Sequence, residues 1–393
     1  MEKPYNIWIF AGESSGDIYG AELACELRKK LPAEKLRIAG MGGEKMRGAG
    51  VEIMVDSTEL GVVGCVEIMK HIFVFIRIFL SLVKRAEKER PDAVVLIDYP
   101  GFNIRFAKQM FKRNIPVIWY ISPQVWAWRK SNIPKLAAWC RKMMVIFPFE
   151  PQVYKGTGLD IEFVGHPLVD IVKSRNEESL KRDPSLVALL PGSRTHEVTR
   201  LLQPMLETAR LLYNERRELR FVISAPREKI SKLCEGILEK FKAEHVADAL
   251  PEIKIFCGAT PRILKEAGTG IAASGTVTVE CAIAGLPLVV VYKLNSLTFK
   301  LARIFITLFR GFFTMVNIIA NKTVFEEFVQ FQVTTENLLP AIKKILPGGE
   351  RRNYVEEEME DVTKALSSGS EIASSNAAKV CIDLMEKGRT GKK

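Results

Sequence analysis

The stretch Gly270-Ile-Ala-Ala-Ser-Gly-Thr-Val-Thr-Val-Glu-Cys-Ala-Ile-Ala-Gly-Leu-Pro-Leu-Val-Val-Val-Tyr292 decides the fold class. Ile271 to Ala273 is a short apolar run, and Ser274-Gly275-Thr276 is a turn with helix N-cap chemistry. Val277 to Ala284 fits a short helix. Gly285 falls where a helix ends in a left-handed residue, and Pro287 forbids its resumption. Leu288 to Tyr292 is apolar on both faces, as in the covered strands of a parallel sheet. Strand, loop, helix and strand in this order make an α/β unit. The helix start combines a glycine, two hydroxyls and free backbone N–H groups, the makings of an anion site. Glu280 lies one turn in from Thr276 on the same face, within reach of sugar hydroxyls beside a bound phosphate. The plainer reading is a capped helix carrying a solvated glutamate.

The frame around this stretch is large. The 393 residues suit two domains of about 150–200 residues each rather than one core. Apolar residues make up 47% and charged residues 26%, which excludes a disordered chain. The net charge of +11 points to nucleic acid, anionic lipid or phosphorylated substrates. No run of five Lys or Arg occurs and no RNA-binding signature, so no nucleic-acid partner is expected. The seven cysteines form no C-x-x-C pair and read as reduced core thiols, as in a cytoplasmic protein. Neither a zinc spacing nor a cofactor motif stands out, and no metal or cofactor is expected. Met-Glu-Lys-Pro runs straight into a strand, with no signal-peptide pattern. No uninterrupted apolar run reaches eighteen residues, so no membrane span is expected.

The same rhythm recurs on both sides. Tyr5 to Phe10 reads as a buried strand, Ala11 to Asp17 as a turn and Ile18 to Lys30 as a helix. The turn, Ala11-Gly-Glu-Ser-Ser-Gly-Asp17, is not a G-x-G-x-x-G fingerprint. Its Glu13, Ser14, Ser15 and Asp17 suit a hydroxyl-rich ligand better than a bare connector. Ala93 to Ile97 is a further strand, and Asp98 follows it. Ligands of open α/β sheets sit beyond the carboxyl ends of strands, so Asp98 is placed for chemistry. The competing reading is a helix cap. Asn103 follows in the turn Pro100-Gly-Phe-Asn103. Trp126 and Trp128 after the strand Pro116 to Ile121 read either as a cleft wall or as core. His166, between Gly165 and Pro167, reads as a turn residue or a hinge contact. The charged residues Ser174 to Pro184 suggest the interdomain linker. Leu186 to Leu190 then restarts the pattern. Behind it, Gly192 permits close backbone approach, Ser193 follows, and Arg194 supplies a bidentate fork for phosphate. Glu350 to Leu366 and Glu371 to Lys387 read as C-terminal helices.

Two segments break the pattern. Ile68 to Val83 and Leu297 to Val316 are nearly all apolar but carry Lys70, Arg77, Lys300, Arg303 and Arg310. Basic amphipathic helices that dip into a lipid surface fit them better than spans do. Buried core helices are the alternative.

Taken together, the motifs resemble the lipid-A-disaccharide synthase family. The matching residues are Ala11 to Asp17, Ile97-Asp-Tyr-Pro-Gly-Phe-Asn103, Tyr120-Ile-Ser-Pro-Gln-Val-Trp-Ala-Trp-Arg129 and Phe147-Pro-Phe-Glu150. They continue with Phe163-Val-Gly-His-Pro167, Leu189-Leu-Pro-Gly-Ser-Arg194, Ala273-Ser-Gly-Thr276 with Glu280, and Asn317-Ile-Ile-Ala-Asn321. The resemblance implies an α/β fold of GT-B type, two Rossmann-like domains facing a cleft: residues 1–172 on the acceptor side and 173–349 on the donor side, with 350–393 returning to the first. It implies metal-independent, inverting transfer of a diacylglucosamine from UDP-2,3-diacylglucosamine to 2,3-diacylglucosamine 1-phosphate, on the cytoplasmic face of an anionic inner membrane. A homodimer is compatible with it. Asp98 would be the general base. Gly192, Ser193, Arg194, Ser274, Gly275, Thr276, Glu280 and Asn317 would bind the donor. Glu13, Ser14, Ser15, Asp17, Asn103 and Trp126 would line the acceptor sugar site. Ala267-Gly-Thr-Gly-Ile-Ala-Ala273 departs from the family's usual Ser-Asp-Ala-Ala run, as does the stretch after Thr314. Another GT-B enzyme acting on UDP-sugars, or a non-catalytic membrane-peripheral binding protein, would share parts of this pattern.

Overall fold

The computed structural model describes residues 3–57, 68–125, 130–175, 180–293 and 311–390. They divide into two compact units, residues 1–167 with 366–393 and residues 168–365. In the first unit the chain runs β1 (Tyr5–Ala11), α1 (Ser14–Lys30), β2 (Leu36–Gly42), α2 (Glu44–Gly48), β3 (Glu52–Asp56), α3 (Ile68–Glu89) and β4 (Ala93–Ile97). It continues with α4 (Pro100–Phe111), β5 (Val117–Tyr120), α5 (Ile133–Trp139), β6 (Lys142–Val145), α6 (Glu150–Val153) and β7 (Asp160–Phe163). The seven strands are all parallel, in the order β3-β2-β1-β4-β5-β6-β7. Ile7 to Ala11 and Ala93 to Ile97 are fully buried. Helices cover both faces of the sheet, so these strands are apolar throughout rather than alternating.

An aromatic cluster fixes α3 and α4 on one face. The Phe10 and Phe106 rings lie 4.7 Å apart, and Phe79 of α3 meets Phe102 and Phe106 edge-on at 5.3 and 5.9 Å. Burying each such ring stabilises the unit by about 1.5–3 kcal/mol. Because Phe102 and Phe106 anchor α4, they also fix the turn that joins it to β4.

The second unit runs α7 (Pro167–Ser174), β8 (Asp183–Leu190), α8 (Thr195–Glu215), β9 (Arg220–Ala225), α9 (Glu228–Glu244), β10 (Ile253–Cys257), α10 (Thr260–Glu266) and β11 (Ala267–Ala273). Then come α11 (Thr276–Ile283), β12 (Leu288–Tyr292), α12 (Met315–Ala320), β13 (Glu326–Val329), α13 (Thr335–Ile345) and α14 (Arg352–Leu366). Its six parallel strands are ordered β10-β9-β8-β11-β12-β13. Helix α11 ends as its sequence requires. Leu286 N–H donates to Cys281 O and Gly285 N–H to Ala282 O, the Schellman pattern, with Gly285 at φ +70°.

Three expectations are corrected. The stretch Ser174 to Pro184 is not the crossing between units, which falls at 167/168 and again at 365/366. Its charges are used inside the second unit: Arg175 pairs with Glu280, Arg182 donates to the carbonyls of Ala267 and Ala284, and Asp183 opens β8. At Arg175, Arg182 and Asp183 polarity therefore marks ties within the second unit rather than a loose linker, and residues 176–179 lie outside the described residues. The C-terminal helices part company. Nearly all of α14 belongs to the second unit, and only α15 (Ala373–Thr390) packs on α1 in the first. There Arg389 bonds Asp92, Lys3 O and Pro4 O and stacks over Tyr5 at 3.8 Å, clamping the start of β1. Finally, α1 begins at Ser14 rather than Ile18, because Glu13 O already accepts the Asp17 N–H.

Helix α3 presents two faces. Leu82, Val83 and Ala86 are buried, whereas Phe73, Ile76 and Leu80 are 76%, 49% and 53% exposed. Arg85 and Arg37 share Glu52 and Glu89, which ties the helix to β2 and β3. Among the described residues no helix is long and apolar enough to cross a membrane. The second basic apolar segment, Leu297 to Val316, lies mostly outside the described residues.

Candidate active site

In each sheet the strand order reverses once, between β1 and β4 and between β8 and β11. Loops leaving the carboxyl ends of two such strands diverge and open a crevice, the usual ligand position in doubly wound sheets. The sequence motifs fall at both reversals.

At the first reversal β1 delivers Gly12 to Ser15, and β4 delivers Asp98. A Cβ on Gly12 would run into the Tyr99 ring, so the glycine lets the two loops touch. Asp98 and Tyr99 are both left-handed, at φ +42° and +44°. That is unusual for one non-glycine residue and more so for two in succession. The turn is held by the Asp98 N–H on Tyr120 O at 3.2 Å and by Asn103, whose Nδ2 donates to Ile97 O at 3.1 Å and Asp98 O at 2.8 Å. Burial raises the Asp98 pKa from 3.8 to about 6, and the Glu13 charge adds to the rise against the opposing Tyr99 N–H. Burial and Glu13 also push the Tyr99 hydroxyl upward.

The expected acceptor residues separate into two groups. Glu13, Ser14 and Ser15 are exposed at the start of α1. Asp17 is turned away: its carboxylate accepts the N–H groups of Gly43, Lys45 and Met46 at 2.7–3.1 Å and so caps α2. Asn103 is fully buried beneath Asp98. Trp126 lies outside the described residues.

At the second reversal β8 delivers Gly192 to Arg194, and the adjacent β11 delivers Ser274 to Thr276. Gly192 has φ +110°, which only glycine adopts freely, and a Cβ there would meet Glu197. The Glu197 carboxylate accepts the N–H groups of Ser193 and Arg194, both at 3.2 Å. The Arg194 guanidinium is 70% exposed. Tyr292, at the end of β12, is pushed up by burial and by Glu197, with Arg194 opposing. Arg227, just past β9, donates to Ser193 O at 3.1 Å and brings a second cation to this edge. Gly275 has a φ of 167°, ordinary extended backbone, and a Cβ there would meet no atom of the described residues within 4 Å. Glu280, one turn into α11, lies 3.4 Å from Arg175, and its burial raises its pKa while Arg175 lowers it.

Asn317 differs from expectation in its chemistry. Its Oδ1 accepts the Val324 and Phe325 N–H groups at 2.9 Å, and its Nδ2 donates to Phe325 O at 2.8 Å. The carboxamide is wholly committed to the turn before β13, so Asn317 shapes the site without reaching into it. Tyr99, Arg175, Glu197, Tyr292 and Arg227 were missed in the sequence. Only Glu197 had a local signal, a glutamate at the third helical position after the loop.

Two doubly wound parallel α/β units, each with one switch point in its sheet, define the GT-B class. Solved structures of that kind align along nearly the whole chain. The glycotransferase of kitacinnamycin does so at TM-score 0.62 and 15% identity, covering 98% of this chain and 100% of its own. A UDP-GlcNAc 2-epimerase from Neisseria meningitidis bound to UDP-GlcNAc does so at TM-score 0.58 and 13% identity, over 97% and 99%. The chain belongs to the lipid-A-disaccharide synthetase family, which it matches over residues 7–381. It is 36% identical to the lipid-A-disaccharide synthase of Syntrophus aciditrophicus over 97% of this chain and 98% of that one. The identity to that of Trichlorobacter lovleyi is 37%, over 93% and 94%. It is thus a glycosyltransferase of lipid A disaccharide synthesis that uses a UDP-sugar donor.

Proposed function

We propose that the enzyme moves 2,3-diacylglucosamine from UDP to the 6-hydroxyl of 2,3-diacylglucosamine 1-phosphate, inverting the anomeric centre and releasing UDP. The observation that carries this reading is Asp98: a carboxyl at a strand end, beside the switch point, with its pKa raised to about 6. Such a group is mostly ionised at neutral pH yet basic enough to take a proton from an attacking hydroxyl. The exposed Glu13, Ser14 and Ser15 border it and suit a sugar's hydroxyls.

Negative charge grows on the donor's diphosphate as the glycosidic bond breaks. The Arg194 guanidinium and the first-turn N–H groups of α11 supply preorganised positive charge for it. Glu280 receives sugar hydroxyls of the donor, and Asn317 holds the turn that shapes this edge. The acyl chains of both substrates fit a peripheral enzyme on the cytoplasmic face of the membrane. The α3 face of Phe73, Val74, Ile76 and Leu80, with Arg77 and Lys84 exposed beside it, suits an anionic lipid surface. Incubating the purified protein with both lipids and weighing the product by mass spectrometry tests the reaction. A tetraacyl disaccharide 1-phosphate is expected, and release of the donor sugar to water alone would overturn it.

A further inference from the structure

Asn103 has a role that neither the acceptor-binding expectation nor the family match assigns. It is fully buried, so it offers a substrate no surface. Both acceptors facing its carboxamide are backbone carbonyls, Ile97 O at 3.1 Å and Asp98 O at 2.8 Å. Carbonyls cannot donate, so the amide nitrogen must point toward them. Among the described residues the Oδ1 of Asn103 has no hydrogen-bond partner. The two bonds made by its nitrogen hold the residue in place.

The nitrogen bridges the two carbonyls on either side of the point where β4 stops. Beyond that point Asp98 and Tyr99 are both left-handed, a conformation that two successive non-glycine residues keep only when their surroundings impose it. The helix after the turn assists, since the Asn103 N–H itself donates to Tyr99 O at 3.1 Å. One residue thus grips the strand end, the turn and the helix start. Extended backbone at Asp98, the default continuation of β4, would send its carboxyl to another side of the sheet edge.

We infer that Asn103 is the positioning residue for Asp98: its carboxamide locks the left-handed turn that aims the Asp98 carboxyl into the crevice between β1 and β4. The inference rests on the reading of Asp98 as general base. The titratable groups around Asp98 among the described residues are Glu13 on the β1–α1 loop and Tyr99 in the turn. Asp17 is occupied by α2, and Arg105 on α4 donates to Gly101 O. Without the lock, the Asp98 carboxyl moves toward water and away from Glu13, and its pKa falls toward the ordinary carboxylate range.

The test compares Asn103→Leu, which removes both donors at similar volume, with Asn103→Ser, which restores one hydroxyl donor. Turnover, KM for each substrate, UDP affinity and the pH profile of turnover are measured on the full chain. For Asn103→Leu turnover should drop about 10²-fold, the usual effect of misplacing a catalytic group. UDP affinity should stay within about twofold, because Asn103 is fully buried inside the first unit and the proposed donor-binding residues belong to the second, and the acid limb of the profile should move to lower pH. Asn103→Ser should recover part of both effects, and it serves alone if Asn103→Leu does not fold. Parent-like turnover and an unmoved limb in a folded variant overturn the positioning role. Asp98→Asn assayed alongside separates the two ideas. If it keeps full turnover, the base assignment falls and the positioning role with it. If it loses turnover while the folded Asn103 variants keep theirs, the base stands and only the positioning role is overturned.

Discussion

Arg194 is bound twice by Glu197, through its backbone N–H at 3.2 Å and through its guanidinium at 3.3 Å. The carboxylate sits where the loop would otherwise offer its N–H groups and its cation to a ligand. With the side chain 70% exposed, the guanidinium contact is weak, about 0.2–1 kcal/mol, and readily exchanged for a diphosphate. Replacing Arg194 by Ala should therefore weaken UDP binding by about 1.5–3 kcal/mol, the range for a charged hydrogen bond. Glu197→Gln should leave UDP binding equal or up to about fivefold tighter, since it removes the competing charge. A calorimetric titration that finds UDP affinity unchanged in Arg194→Ala rejects the assignment.

Asp98→Asn should lose about 10²–10⁴-fold in turnover and keep UDP affinity. If Asp98 were only a cap for α4, Asn would serve nearly as well. The parent enzyme should show an acid limb near pH 6, with turnover falling about tenfold per pH unit below it. A profile flat from pH 5 to 8, with chemistry rate-limiting, would count against Asp98 as the base.

The same residue makes a stability prediction. Its folded pKa, about 6, is above the ordinary 3.8, so between these values the folded chain holds more protons than the unfolded one. The Asp98 contribution to stability accordingly falls as pH rises from about 4 to 6, by about 3 kcal/mol at most. Asp98→Asn should raise the melting temperature above pH 6, and the pH-dependent part of the gain should vanish below pH 4. Equal shifts in Tm at pH 4 and pH 8 would show that the carboxyl carries no such penalty.

Gly275→Ala is expected to fold normally, because φ is extended and a Cβ would meet no atom of the described residues within 4 Å. A methyl group there should obstruct a ligand seated on the first turn of α11 and weaken UDP binding about tenfold or more. Parent-like affinity would move the donor away from this helix start.

Association with lipid should depend on charge. The protein should bind vesicles of anionic lipid better than neutral ones and be released in part by salt. Replacing Phe73 and Leu80 together by Ser should weaken binding to both, since these side chains are exposed and support little of the core. Equal partitioning onto anionic and neutral vesicles contradicts the electrostatic contribution.

Much of this protein was legible in the chain because the relevant physics is short-range. Apolar runs at strands β1, β4 and β12, the Gly285–Pro287 stop and the 3.6-residue periodicity of α1 are each encoded within a few neighbouring residues. The loops at the carboxyl ends of β1, β4, β8 and β11 followed from those strands, and with them Asp98 and Arg194. Sheet order did not, since pairing β1 with β4 joins residues more than eighty positions apart. Nor did the fate of individual polar groups. Asp17 looked like a ligand residue until Gly43, Lys45 and Met46 came within its reach, and Asn317 until Val324 and Phe325 did. A buried polar side chain takes whatever partner folding brings, and that choice is made by contacts no local pattern encodes. Sequence alone determined which residues could do chemistry; the tertiary structure decided which remained free to do it, because each hydrogen bond formed inside the fold is one fewer available to a substrate.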